Sequence, residues 1–215
     1  MIIAIDGHAA SGKSTVARGV SKHLGFTYLN TGAMYRALTF GIKTQNIDIN
    51  NDFAVSEFIN TTSILFDDKN NILLDGENIS NKINTSEISK RVSQISAIPE
   101  IRFAMVEQQR EIAVSKSCVL EGRDIGTVVF PNAEYKFFLT ADPLVRANRR
   151  KKELNSLGES VPINQLVDDI VQRDKFDSNR LISPLKKAKD AISIDTSHLS
   201  ISETISKLIA HIKIK

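Results

Sequence analysis

Eight residues near the start of the chain, Gly7-His8-Ala9-Ala10-Ser11-Gly12-Lys13-Ser14, satisfy the pattern G-x-x-x-x-G-K-[ST]. Successive backbone amides in such a loop can surround an anion, and the helix that follows adds positive potential at its N-terminus. Lys13 can reach the β- and γ-phosphates of a nucleoside triphosphate, and Ser14 can offer its hydroxyl to Mg²⁺. The chemistry implied is capture of ATP with Mg²⁺ as cofactor. The plainer reading of the same residues is a small-residue turn joining a strand to a helix. His8 reads as a tolerated spacer, and Asp6 either helps the metal through water or caps the local turn.

A phosphate cradle does not say where a phosphate goes, so an acceptor site must be sought among other cations and hydrogen-bonding groups. Asn30-Thr31-Gly32-Ala33-Met34-Tyr35-Arg36 places a hydroxyl, a phenol and a guanidinium at a helix start, where a phosphate or sugar can be held. Glu121-Gly122-Arg123-Asp124 follows an apolar run and so falls at the carboxyl end of a core strand, the edge where open α/β sheets bind ligands. Arg123 can fork onto a phosphate and Asp124 can accept from an amine or hydroxyl; a simple Arg-Asp ion pair competes with that reading, and Glu121 reads as support for the turn. Arg146, Arg149 and Arg150 stand at i, i+3 and i+4, three like charges on one helical face that repel unless an anion joins them. With Lys151, Lys152 and Gly158 as a hinge, the segment reads as a mobile lid near 144–160, or else as a solvated basic helix. Arg173, Asp177 and Arg180, at i, i+4 and i+7, form a further one-face set that an intrahelical salt-bridge ladder explains equally well.

The elements that must position these groups follow from the apolar pattern. Ile2-Ile3-Ala4-Ile5 suits a strand buried on both faces and leads straight into the glycine loop. Val16, Ala17, Val20 and Leu24 recur at helical spacing until Gly25 stops them. Further strands are predicted over 26–29, 118–120, 135–139 and 191–194, and helices over 33–41, 53–60, 86–97, 99–114, one after Leu139, and 200–212. Asn30-Thr31-Gly32 is expected to turn the chain before its helix. Between 63 and 83 the texture changes to short β-like pieces around the turn Asp67-Asp68-Lys69-Asn70-Asn71, a small antiparallel insert. Strands alternating with helices predict an α/β fold: a P-loop NTPase core, its parallel β-sheet flanked by helices, with a small mainly β insert and a helical lid.

At 215 residues the chain can bury one full core, so residues 1–215 are expected to form a single domain with small appendages. The net charge of +3 comes from dispersed residues, which favours a small anionic substrate over nucleic acid. Cys118, the only cysteine, excludes an intramolecular disulfide and reads as a buried thiol in a reducing compartment. With no leader and no run long enough to span a bilayer, a cytoplasmic protein with no membrane partner, and a monomer, is expected.

Taken in order along the chain, these motifs resemble the bacterial cytidylate kinase family. The resemblance rests on Gly7 to Thr15, Asn30 to Arg36, Arg91-Val92-Ser93-Gln94 with Pro99 and Arg102, Gly122-Arg123-Asp124-Ile125-Gly126-Thr127, Arg146-Ala147-Asn148-Arg149-Arg150, and Arg173 to Arg180. It implies a nucleoside monophosphate kinase in which the insert enlarges the monophosphate-binding region, and transfer of a phosphate from ATP to CMP or dCMP. It also implies roles. Lys13, Arg123, Arg146 and Arg150 would be catalytic. The loop from Gly7 to Thr15, with Arg149, would bind ATP. Ser93, Arg102 and Asp124 would read the cytosine edge. Arg36, Arg123 and Arg180 would hold the acceptor phosphate, Arg173 and Asp177 would meet the ribose, and Thr31 and Tyr35 would lie beside the nucleotide. Lys175, Phe176 and Ser178 depart from more charged residues in relatives, and Glu121 stands where some have Asp. A kinase of AMP, UMP or shikimate on the same core, or a nucleotide-binding switch without an acceptor, are the rival readings.

Overall fold

In the computed structural model, residues 1–114 and 116–213 are described. Packing divides the chain into two compact units, one formed by Met1–Asn30 with Arg110–Lys215 and the other by Thr31–Gln109.

The first unit is built on a parallel sheet. Strands β1 (Ile2–Gly7), β2 (Thr27–Asn30), β6 (Cys118–Gly122), β7 (Tyr135–Thr140) and β8 (Ile192–Asp195) lie in the order β2-β6-β1-β7-β8. β1 is central because its run Ile3-Ala4-Ile5 is wholly buried, as a strand covered on both faces must be. Ile3, Ile5, Val119, Phe137, Leu139 and Ile194 of the sheet pack with Val16, Ala17 and Val20 of α1 (Lys13–Leu24) and Leu208 of α8 (Ile201–His211). Truncating Phe137, 1% exposed, to alanine would cost about 3–5 kcal/mol. Gly25 ends α1 in the left-handed conformation with its N–H on the Ser21 carbonyl. Ser200 and Glu203 form a reciprocal capping box at the start of α8. Register aligns Asp6 with Gly122 on one side and Phe138 on the other, so the glycine loop, the end of β6 and the end of β7 emerge at one level. The chain leaves β1 for β2 on one flank and later takes β7 on the other, which makes the carboxyl end of β1 a topological switch point.

The second unit holds α2 (Thr31–Thr44), α3 (Asp52–Thr61), the antiparallel strands β3 (Ile64–Phe66), β4 (Ile72–Leu74) and β5 (Glu77–Asn78), α4 (Ser86–Ile95) and most of α5 (Pro99–Ala113). The Asp67 carboxylate accepts from the amides of Lys69 and Asn71 and so closes the expected turn. Asp75-Gly76, both at positive φ, make the tight turn into β5, a strand too short to show in the apolar pattern.

Two local expectations need correction, and one element goes beyond them. Asn30-Thr31-Gly32 makes no turn: Asn30 still pairs with Glu121 in the sheet and α2 begins at once with Thr31. Arg180 does not share a helical face with Arg173 and Asp177, because α7 (Ile163–Asn179) stops one residue earlier. Leu185 folds back there to donate to the Asp177 carbonyl, and Arg180 is extended. A single π-type turn, Ile125–Val129, follows β6 where no periodicity announced it; the Asp6 carboxylate accepts the amides of Ile125 and Gly126 at 2.9 and 2.8 Å. Asp6 thus caps a turn, though a distant one.

Candidate functional site

The loop between β1 and α1 needs backbone that ordinary residues avoid. Gly7 has φ +148° and a side-chain carbon there would lie 2.1 Å from the Leu139 carbonyl oxygen; Gly12 has φ +91°, and Ala10 adopts φ +56°. No side chain caps the first turn of α1, which leaves its N-terminal potential facing the loop.

The loop's carbonyls are held by cations. Lys13 Nζ donates to the His8 carbonyl at 2.6 Å, Arg146 Nη1 to the Ala9 carbonyl at 3.2 Å and Arg149 Nη1 to the Ser11 carbonyl at 3.3 Å. A trans peptide points its N–H opposite to its C=O. Holding these carbonyls therefore turns the amides of Ala9, Ala10 and Gly12 the other way. Burial, with help from Arg123, pushes the Lys13 ammonium down to about 7. Burial also lowers His8, whose ring meets the edge of Phe138. For Asp6, burial outweighs its two amide hydrogen bonds and pushes the carboxyl up to about 7.

Arg146 and Arg149 of α6 (Pro143–Ser156) do lie towards the loop, but the anion that the mutual repulsion of the three arginines demands is partly internal. Arg146, buried, pairs with Asp174 at 2.5 Å, and Arg150 pairs with Glu153 at 2.7 Å. Asp174 also accepts from the Ala9 amide at 3.4 Å. Ala147 and Leu154 of α6 pack against Leu166 and Ile170 of α7, so the expected lid segment rests on a second helix.

At the end of β6, the Arg123-Asp124 pair that competed with the ligand reading is not formed. Arg123 Nε meets Asp177 at 3.0 Å and Arg180 Nη2 meets Asp124 at 3.7 Å, while Arg173 Nε stands 3.9 Å from Asp177. Burial raises the Asp177 carboxyl, but Arg123, Arg173 and Arg180 outweigh it and hold it below the usual range. Burial brings Arg173 down to about 10. Arg123 and Arg173 thus converge on Asp177 while Arg180 lies towards Asp124.

Within the unit 31–109, Arg102 is buried, donates twice to the Ser96 carbonyl at 3.1 and 2.9 Å and lies 4.5 Å from the Tyr35 ring centre. The Ser96 hydroxyl in turn donates to the Ser93 carbonyl at 3.0 Å, which ties Ser93 and Arg102 to one helix end. The Ser93 hydroxyl oxygen is buried without a protein hydrogen bond. Arg36 Nη1 donates to Ser89 Oγ at 2.9 Å and to the Ile83 carbonyl at 3.2 Å. Thr31 is buried at the first residue of α2.

Sequence reasoning passed over two residues. Glu121, read only as turn support, accepts the Ser14 hydroxyl at 2.6 Å and the Tyr28 hydroxyl at 3.4 Å. Thr196, just beyond β8, bonds the Ser11 carbonyl and Arg149. The same strand-end rule that singled out Arg123 applies to both positions. Cys118 is buried as expected, and burial raises its thiol pKa. Among the described residues no three His, Cys, Asp or Glu side chains cluster as a metal centre, and no helix is long and apolar enough to cross a membrane.

A family model described as cytidylate kinase matches residues 3–214. A protein named cytidylate kinase from Clostridioides difficile is 46% identical over 214 residues, covering 100% of this chain and 99% of its own. Another of that name from Halalkalibacterium halodurans is 44% identical over 216 residues, covering 99% and 97%. Among solved structures, an uncharacterized protein from Eubacterium ventriosum superposes with TM-score 0.53 at 14% identity, covering 100% of this chain and 99% of its own, a likeness of fold alone.

Proposed function

The chain belongs to the cytidylate kinase family, and we propose from that premise that it moves the γ-phosphate of ATP onto CMP or dCMP, giving ADP and CDP or dCDP. The observation that carries the acceptor side is the buried Ser93 hydroxyl, which has no protein partner and is linked through Ser96 to the double-donor Arg102. A cytosine edge offers both an amine and acceptors, so a hydroxyl and a guanidinium on one helix end are suited to it.

On the donor side, the loop from Gly7 to Thr15 holds the triphosphate, with Lys13 against the β/γ-phosphates and Arg149 at its rim. Arg146 and Arg150 add positive charge where negative charge is redistributed during transfer. Arg123, Asp124, Arg173, Asp177 and Arg180 of the first unit, and Thr31, Tyr35, Arg36, Ser93 and Arg102 of the second, are the CMP contacts proposed for each unit. The acceptor oxygen is already ionised, so the residues need only align it for in-line attack, and no general base is required. Because α6 rests on α7 through Ala147 and Leu154, closure of the lid carries both helices together.

The donor set fits Mg²⁺. Ser14 Oγ and Glu121 Oε1 meet at 2.6 Å, one hydroxyl and one carboxylate, and this ion binds through one or two carboxylates plus substrate phosphates while keeping several waters. Ser14 would hold the ion and Glu121 would orient its shell; the ion supplies neutralisation of charge on the phosphates being separated.

An acceptor panel tests the reading. Coupled detection of ADP with CMP, dCMP, AMP, UMP, GMP and shikimate should show CMP and dCMP favoured by at least about a hundredfold in kcat/KM, a discrimination typical of a site built to hydrogen-bond its substrate. A preference for AMP or shikimate would overturn it.

A further inference from the structure

Thr196 stands immediately after β8, 2% exposed, at the same sheet edge as the phosphate loop. Its amide donates to the Thr140 carbonyl at the end of β7, 2.8 Å away. Its hydroxyl is crowded with partners: the oxygen lies 3.1 Å from both the Ser11 and Thr140 carbonyls, to either of which its one proton can be donated, and it accepts from Arg149 Nη1 at 3.0 Å. Arg149 closes the circuit. Its Nη2 donates to the Thr196 carbonyl at 2.7 Å while Nη1 also reaches the Ser11 carbonyl.

We infer that Thr196 is a positioning residue for ATP: its hydroxyl and Arg149 together clamp the Ser11 carbonyl and so fix the Ser11-Gly12 peptide plane of the phosphate loop. The inference rests on the kinase reading above, and it adds a residue that touches no phosphate. The peptide unit is rigid. With the Ser11 oxygen held by two donors, the Gly12 N–H must point the opposite way, as an amide serving a bound phosphate has to. Gly12 sits at φ +91° and lacks a side chain to brace it, so nothing local fixes that plane. The clamp also joins α6, β7 and β8 to the loop. Without the hydroxyl, Arg149 loses one of its three neutral acceptors and the Ser11 carbonyl loses one of two donors. The plane is then free to swing, and the ordering is charged against ATP binding.

The experiment compares wild type with Thr196→Val, which keeps shape, Thr196→Ala, which removes bulk without crowding, and Thr196→Ser, which restores the hydroxyl. MgATP affinity is read by calorimetry and both KM values by steady-state kinetics. We expect Val and Ala to weaken MgATP binding and raise the ATP KM roughly tenfold, with the CMP KM unchanged, and Ser to lie within about twofold of wild type, as loss or retention of one or two hydrogen bonds implies. If Thr196→Val does not fold, Thr196→Ala carries the same comparison. Wild-type MgATP affinity in Val or Ala, an equal rise in both KM values, or failure of Ser to rescue would each overturn the clamp. A wild-type enzyme that binds MgATP but makes no CDP would instead overturn the kinase reading and leave the clamp standing.

Discussion

Binding of ATP should draw a proton onto Lys13. In the free protein its ammonium is buried and its hydrogen-bond partners are neutral, the His8 carbonyl at 2.6 Å and the Ser11 hydroxyl at 3.5 Å. Burial and the nearby Arg123 bring its pKa from 10.5 to about 7. At pH 8 about one molecule in eleven then carries the charge. Phosphate oxygens against Nζ favour the charged form and restore it, so binding takes up about 0.9 proton at pH 8, about 0.5 at pH 7 and about 0.1 at pH 6. The sign is fixed: the free enzyme has lost the proton that the complex holds, so affinity falls as pH rises above 7, by up to about 1.4 kcal/mol per unit. Calorimetric titration of MgATP at pH 8 in two buffers of different ionisation enthalpy measures the uptake. Lys13→Met should abolish it and weaken binding strongly. Uptake near zero in wild type, or the same uptake in Lys13→Met, would refute the reasoning.

Four further outcomes follow. Gly7→Ala should destabilise the fold by roughly 3 kcal/mol or more in urea unfolding, since the new carbon meets the backbone oxygen of Leu139 at 2.1 Å and cannot be relieved by a rotamer change. Asp6→Ala leaves the buried amides of Ile125 and Gly126 without their acceptor and should cost about 2–4 kcal/mol. Asp6 also carries a pH signature: its folded pKa of about 7 lies above the ordinary 3.8, so the folded state keeps a proton the unfolded chain has released. Its contribution is present at low pH and is lost as pH rises towards 7, a slope that Asp6→Asn should remove from urea titrations between pH 4 and 7. Ser93→Ala should leave the melting curve within about 0.5 kcal/mol of wild type, because the hydroxyl has no protein partner, and raise the KM for CMP roughly tenfold.

Much of the donor half was legible because its signals are local. Ile2-Ile3-Ala4-Ile5 reads as a strand buried on both faces that leads into the glycine loop, and β1, the loop and α1 follow in that order. Helix ends were readable where a residue carries its own cap, as at Gly25 and Ser200. What escaped depends on contacts far apart in the chain. Nothing near Asp6 announces that it will hold amides 119 and 120 residues away. Arg123 and Asp124 look like partners in sequence, yet each pairs across the fold, with Asp177 and Arg180, once β6 has ended at Gly122 and the chain bends. Glu121 was undervalued because its role depends on the register that brings β6 beside the loop. The π-type turn has no periodicity of its own and is fixed by the Asp6 carboxylate.

The central claim is direct transfer between two bound nucleotides. ³¹P spectra of MgATP with CMP and the enzyme should show the β-phosphorus of CDP growing one for one with ADP, and almost no inorganic phosphate. ADP and inorganic phosphate formed at the same rate with or without CMP, and no CDP, would contradict it.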